Sequence, residues 1–266
     1  MPKFLDYLNK SNKPLVMDGA MGTQLMQAGV NIGCFEEANI IHPSKIKAVH
    51  QSYIDAGAEI IETNTFSGNR LKLTDFNLAG KLKEINSAGI KLAKTVAGNK
   101  AFVAASMGPL GALIRPLGEI SFDRAYDLFA EVAKIYEAAG ADLIQIETIS
   151  DLQEMRAALL AVKENTGLPV ACSMTYDEQG FTVTGTPPEA AVAVMEGMGA
   201  DIIGANCSSG PEPLLKTAKR ILKVATVPVL IMPNAGMPEL VGDCAVYKMT
   251  PEQFAGYAVK FVEMGV

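Results

Sequence analysis

The chain has 266 residues, of which 49% are hydrophobic and 20% charged, with a formal net charge of -6 and a pI near 5.1. That is globular composition with length for one substantial core, as one large barrel or two small domains. No basic patch with interleaved aromatics is present and no apolar run approaches membrane-spanning length, so nucleic acid and membrane are both set aside as partners.

The start, MPKFLDYLNKSNKP, has neither a long apolar core nor a cleavage site, and reads as cytoplasmic rather than secretory. A first strand is expected at Leu15–Met17. Asp18 follows it, and the turn Gly19-Ala20-Met21-Gly22 opens a helix. Pro43 marks a helix start, with Ile46, Val49, Tyr53 and Ile54 on one face. A strand at Ile60–Thr63 runs into Asn64, and one at Phe102–Ala105 runs into Ser106. The Gly/Pro-rich stretch Gly108–Gly118 reads as an ordinary loop, with a mobile lid as the alternative. Phe122, Leu128, Phe129, Val132, Ile135 and Tyr136 give the next helix its apolar face. Further strands are expected at Leu143–Ile146, ending in Glu147-Thr148, and at Val170–Met174, ending in Thr175-Tyr176. Two more fall at Ile202–Gly204, before Asn206-Cys207, and at Val229–Met232, before Asn234. Ser150-Asp151-Leu152-Gln153, Thr186-Pro187-Pro188-Glu189 and Thr250-Pro251-Glu252-Gln253 all fit a capping box.

A unit repeats along this run. Gly57-Ala58-Glu59-Ile60-Ile61, Gly140-Ala141-Asp142-Leu143-Ile144 and Gly199-Ala200-Asp201-Ile202-Ile203 share one pattern: a glycine cap after a helix, then an apolar run that reads as a buried parallel strand. Seven strands alternating with helices predict an α/β fold, a TIM (β/α)8-type barrel. A doubly wound open sheet is the alternative, and no GxGxxG follows the first strand to support it. The last helix ends at Met264-Gly265-Val266, where the repeat calls for an eighth strand. The expectation is therefore one domain over residues 1–266, incomplete before that strand, either as a shortened chain or as part of a longer protein.

Chemistry in such a barrel sits at the carboxyl ends of the strands. Counted from the capping glycine, Asn64, Glu147 and Asn206 share one offset, so strand alternation aims all three the same way. No lysine lies at a predicted strand end, which argues against a Schiff-base enzyme. The two histidines, His42 and His50, flank or lie within one helix, so a histidine metal cluster or a Ser-His-Asp arrangement is not expected. Cys34, Cys172, Cys207 and Cys244 form no CxxC pair and read as thiols rather than disulfides. What remains at the rim is a thiol, two carboxylates and several amides. Asp18 and Glu147 suit an ammonium, the backbone N–H groups of the Gly19-Ala20-Met21-Gly22 turn suit a carboxylate, and Cys207 suits a soft metal or a nucleophilic role.

The segments Met17-Asp18-Gly19-Ala20-Met21-Gly22-Thr23, Glu62-Thr63-Asn64-Thr65-Phe66, Gly204-Ala205-Asn206-Cys207 and Pro233-Asn234-Ala235-Gly236 together resemble the homocysteine S-methyltransferase family. Within it they are most similar to the N-terminal homocysteine-binding domains of cobalamin-dependent methionine synthases. The resemblance implies a barrel with zinc held by three cysteines. Cys207 matches one of them, and the other two, an adjacent pair on strand eight, are expected beyond residue 266. Cys34, Cys172 and Cys244 match no ligand motif. The resemblance further implies that zinc holds the homocysteine sulfur as thiolate for attack on a methyl group. It implies that Asp18 and Glu147 contact the substrate and that the turn at Ala20 and Met21 receives its carboxylate; Gly19 of the same turn and the strand-end amides Asn64, Asn206 and Asn234 are taken as further substrate contacts. Methylcobalamin would be supplied by another domain and recharged on a folate-binding one. A stand-alone enzyme using betaine or S-methylmethionine, and a non-catalytic homocysteine-binding fragment, stay open beside this reading.

Overall fold

Each repeat unit needs its chain to reverse between helix and strand, and in the computed structural model Gly57, Gly140 and Gly199 do this at φ of 102°, 94° and 85°. In that left-handed region a side chain would clash with its own backbone, so glycine ends the helix. The structure describes residues 3–207, 210–236, 239–241 and 244–266.

The strands are β1 (Ile60–Glu62), β2 (Phe102–Met107), β3 (Leu143–Ile149), β4 (Val170–Met174), β5 (Ile202–Asn206), β6 (Val229–Met232), β7 (Glu239–Val241) and β8 (Cys244–Val246). The first six form one parallel sheet in the order β1-β2-β3-β4-β5-β6, the barrel order expected from the sequence. Leu15–Met17 is not a full strand. It joins the β1 edge through a parallel bridge of Met17 to Ile60, and the Val16 carbonyl accepts from Glu59 N at 2.8 Å. β7 and β8 make an antiparallel hairpin that no periodicity announced.

The helices are α1 (Phe4–Leu8), α2 (Met21–Gln27), α3 (Ala38–Ile41), α4 (Pro43–Asp55), α5 (Arg70–Asp75), α6 (Leu82–Ala97), α7 (Phe122–Ala139), α8 (Leu152–Asn165), α9 (Pro188–Gly197), α10 (Pro211–Leu222) and α11 (Pro251–Met264). Among the described residues no helix is long and apolar enough to cross a membrane. Of the three expected capping boxes only that of Thr250 forms, with Gln253 N donating to the hydroxyl at 3.3 Å and Thr250 N donating to Gln253 Oε1 at 2.9 Å. At α8 the cap is Asp151, not Ser150, and accepts from Gln153 N at 3.0 Å. At α9 the helix begins one residue later than expected, with Pro187 as cap, and no side chain closes it.

Strand alternation sorts the core into two environments. Ile144, Ile146, Cys172, Met174, Ile203 and Ala205 point outward and pack under the helices with Phe129, Val132, Leu159 and Val162. Ile60, Phe102, Ala104, Leu143, Ala171 and Ile202 point into the curl of the sheet, where Phe4 of α1 closes the lower end, its ring 5.2 Å from Phe102. Two residues further along each strand the same face carries Glu62, Ser106, Gln145, Ser173 and Gly204, and a further step adds Glu147 and Asn206. The Gly108–Gly118 loop is anchored at its base. Asn69 Nδ2 donates to the Pro109 carbonyl at 3.1 Å, and Leu110 N donates to buried Glu154 at 2.7 Å.

Gly204 is fixed by packing. A Cβ there would sit 1.8 Å from the Leu230 carbonyl oxygen of β6, which is backbone and cannot swing away. Gly204→Ala is expected to push β6 off β5 and to destabilise the fold by about 2 kcal/mol or more, read as a lower urea midpoint. An unchanged midpoint would show that the two strands are not held at this spacing.

Candidate active site

The upper layer of the sheet interior is built by neighbouring strand ends. Glu62 N donates to Asp18 Oδ2 at 2.9 Å, which docks the Asp18 turn onto the end of β1. Gly19 lets Tyr53 approach, since a Cβ there would lie 3.1 Å from its hydroxyl, and that hydroxyl donates to the Ala20 carbonyl at 2.9 Å. Met21 begins α2, with Ala20 as its cap. Ser106 donates to Glu147 Oε1, and Asn206 Nδ2 donates to Glu147 Oε2 at 3.1 Å. Glu147 and Asn206 are only 7% and 1% exposed.

Asp18, Glu62 and Glu147 face one another electrostatically with little water to separate them. Burial drives the Asp18 carboxyl well above the usual carboxylate range, and the Glu147 charge adds to this against the Glu62 N–H bond. Burial does the same to Glu62, with Glu147, Asp18 and Cys207 contributing in that order. Glu147 is pushed up to about 7 by burial, partly offset by Ser106. Two oxygens of the group, Asp18 Oδ1 and Glu62 Oε1, are buried without a hydrogen-bond partner, and so is Gln145 Oε1 one step below Glu147 on β3. Acceptors left this way are costly unless a hydrogen-bond donor reaches them.

Cys207 lies just past β5, half-buried, its N–H donating to the Met232 carbonyl at 3.0 Å. Thr148 Oγ donates to its sulfur at 3.6 Å and Asn206 Nδ2 at 3.4 Å. Burial raises this thiol's pKa, Thr148 and Asn206 pull it down, and Glu147 acts between them as a raising charge. Both Thr148 and Cys207 have left-handed backbones, at φ of 60° and 56°. For non-glycine residues, and above all for a β-branched one, this carries strain on the order of 1–3 kcal/mol each.

The structure brings Asp18, Glu147, Asn206 and Cys207 together. It places Asn64 differently. β1 ends at Glu62, so Asn64 is already past the strand, and its amide donates to the Phe35 carbonyl at 2.7 Å and to Asn39 at 3.0 Å. Asn234 follows β6, half-buried. Sequence reasoning left out Glu62, which has the same strand parity as Asn64, and Thr148, whose backbone has no sequence signature. Cys34 and Cys172 are buried away from the mouth. Burial pushes the Cys34 thiol up to about 12, beside Glu36, and raises Cys172 still further. The side chain of Cys244 lies outside the described residues. His50 is fully buried on α4 and held down to about 4 by burial, a packing residue. Among the described residues no three His, Cys, Asp or Glu side chains gather closely enough to hold a metal ion. Cys207 suits one position of a thiolate zinc site, and the described residues do not complete that site.

Glu147 carries a pH signature. Its folded value, about 7, exceeds its ordinary 4.5, so the folded protein holds this proton more tightly than the unfolded chain. Its contribution to stability is complete below the ordinary value and is lost as pH rises through about 7. Thermal midpoints of the ligand-free protein should therefore fall between about pH 5 and 8, and Glu147→Gln should flatten that slope. Asp18, Glu62 and Glu154, also raised by burial, leave a residual slope of the same sign. An identical slope in the variant would place Glu147's proton elsewhere.

The family model described as homocysteine S-methyltransferase matches residues 15–266. Methionine synthases of Mycobacterium leprae and Mycobacterium tuberculosis are each 33% identical over 270 residues, 95% of this chain. The chain spans only 22% and 23% of their respective lengths. Among solved structures, the oxidized form of the homocysteine methyltransferase MmuM from Escherichia coli superposes with a TM-score of 0.84 at 21% identity, covering all of this chain and 93% of that one. At that identity the likeness is one of fold.

Proposed function

The chain belongs to the homocysteine S-methyltransferase family, and on that premise we propose that its barrel binds homocysteine and holds the thiol for methylation to methionine, as the homocysteine module of a cobalamin-dependent methionine synthase. The observation that carries this reading is the set of buried carboxylates beside a single thiol. Asp18 Oδ1 and Glu62 Oε1 lack donors, and an amino acid brings an ammonium. Glu147, already oriented by Ser106 and Asn206, and Asp18 take that ammonium. Gly19, Ala20 and Met21 offer backbone N–H groups to the substrate carboxylate. Asn64, Asn206 and Asn234 shape the polar rim, with Asn206 acting through Glu147. Held at one end by its ammonium and carboxylate, homocysteine extends its sulfur towards Cys207.

The transfer is a displacement at carbon. The thiol proton is released to solvent, the sulfur lone pair forms the new S–C bond, and the electron pair of the broken methyl–carrier bond stays on the carrier. Burial of the mouth favours reaction over hydrolysis, since water is held off the methyl carbon. Cys207 is proposed as one ligand of a zinc ion whose other thiolates come from outside the described residues. When bound, such an ion keeps a homocysteine sulfur as thiolate at neutral pH. The carrier is proposed to be methylcobalamin on another domain of the same or a partner chain, recharged on a folate-binding domain. The methionine synthase relatives, of which this chain spans about a fifth, support that assignment. A cytosolic setting follows, where both thiols stay reduced.

Glu147→Gln should weaken homocysteine binding about 30-fold, the effect of unpairing a buried charge worth about 2 kcal/mol, with the fold intact by circular dichroism. Calorimetric titration reads this directly, and unchanged affinity removes Glu147 from the ammonium site. Cys207→Ala should lower the zinc content of the protein as isolated. Full metal retention would show that Cys207 is no ligand.

A further inference from the structure

Three non-glycine residues among those described have left-handed backbones, and two of them, Thr148 and Cys207, touch each other. Glycine suits that conformation, and a β-branched residue is among the least suited to it. At Thr148 the side chain is fully engaged. Its oxygen accepts from Asn206 Nδ2 at 2.7 Å, which leaves its single proton for Cys207 Sγ at 3.6 Å. The left-handed turn also swings the Thr148 N–H onto Asn206 Oδ1 at 2.8 Å, where the register of β3 against β4 shifts. Asn206 thereby grips residue 148 from both sides while its amide also reaches Cys207 Sγ at 3.4 Å and Glu147 Oε2 at 3.1 Å.

We propose that Thr148 is a positioning residue, clasped by Asn206, whose hydroxyl aims and polarises the Cys207 sulfur towards a soft metal or an electrophile. It rests on the reading of Cys207 as the thiol of the site. Among the described residues the Thr148 hydroxyl donates to the sulfur, and the Asn206 amide, whose two protons serve Glu147 and Thr148 more closely, reaches it as a shared, weaker donor; the hydroxyl stabilises the negative charge that grows there when the sulfur is engaged. The strain at residue 148 has a compensation in this arrangement: a glycine would relax the backbone and leave the sulfur with one donor fewer.

The test reads Cys207 itself. Protein stripped of metal with a chelator is alkylated by iodoacetamide at one fixed pH, and each cysteine is followed by peptide mass spectrometry. Buried Cys34 and Cys172 serve as internal references. Wild-type Cys207 is expected to react well ahead of both. A wild-type Cys207 as slow as Cys172 overturns the reading of Cys207 as the site thiol. Thr148→Val keeps the shape and removes the hydroxyl, and Thr148→Gly removes it on a backbone that accepts glycine without strain. Each should slow Cys207 about tenfold, the size of one hydrogen bond to a charged group, while Thr148→Ser stays within about twofold of wild type. Should the valine variant fail to fold, the glycine variant carries the same comparison. Equal or faster alkylation in a folded variant lacking the hydroxyl overturns the positioning role, as does a serine variant as slow as the glycine one.

Discussion

Glu147 is buried beside the half-buried Asp18 and Glu62, each of which has one buried oxygen, and among the described residues none of the three has a cationic side chain as hydrogen-bond partner. Removing three carboxylates from water beside one another is more than a folded chain tolerates in the ionised state, so protons or a cation must come to them. The raised pKa values of all three follow from that one constraint. So does the setting: Ser106 and Asn206 supply the neutral donors that keep Glu147 in place without neutralising it. Asp18 Oδ1 and Glu62 Oε1 are left without a donor at the mouth.

The same strands that carry these groups also carry the apolar plug. On β2, Phe102 and Ala104 face inward near α1 and Ser106 faces inward near the mouth, two residues apart each time. Alternation alone makes one face of each strand apolar at the start and polar at the end. Phe4 packs against the apolar starts of these strands and covers the lower end of the curl, opposite the end where the carboxylates stand.

Between carboxylate and thiol the connection is covalent geometry as much as charge. Thr148 directly follows Glu147, and Cys207 directly follows Asn206. Each strand therefore contributes one buried polar group and, next to it, one strained residue. The strain persists because Asn206 bonds to both ends of the opposite pair, reaching Glu147 and Thr148 at once. A rigid bracket of this kind keeps the binding group and the sulfur in fixed relation when a ligand arrives.

Much of this was legible in the sequence. The glycine-capped unit, the parallel strands and their approximate ends, and the pairing of Glu147 with Asn206 are consequences of local rules: a cap needs φ above zero, a buried strand needs an apolar run, and equal offsets share a face. Those rules act over a few residues, so a sequence displays them. Asn64 and Glu62 mark where they stop. Both have the inward parity, and only the length of β1, three residues, decides that Glu62 is the one inside and that Asn64 turns to Phe35 and Asn39. The shift of Leu15–Met17 from strand to bridge, the β7–β8 hairpin and the left-handed Thr148 were likewise beyond reach. Each depends on contacts between segments far apart in the chain. The sequence by itself determined the repeating unit, the face of each strand and the kinds of group at the mouth. Tertiary structure alone decided which of those groups meet, because burial, pKa and strain arise only when the strand ends are brought side by side.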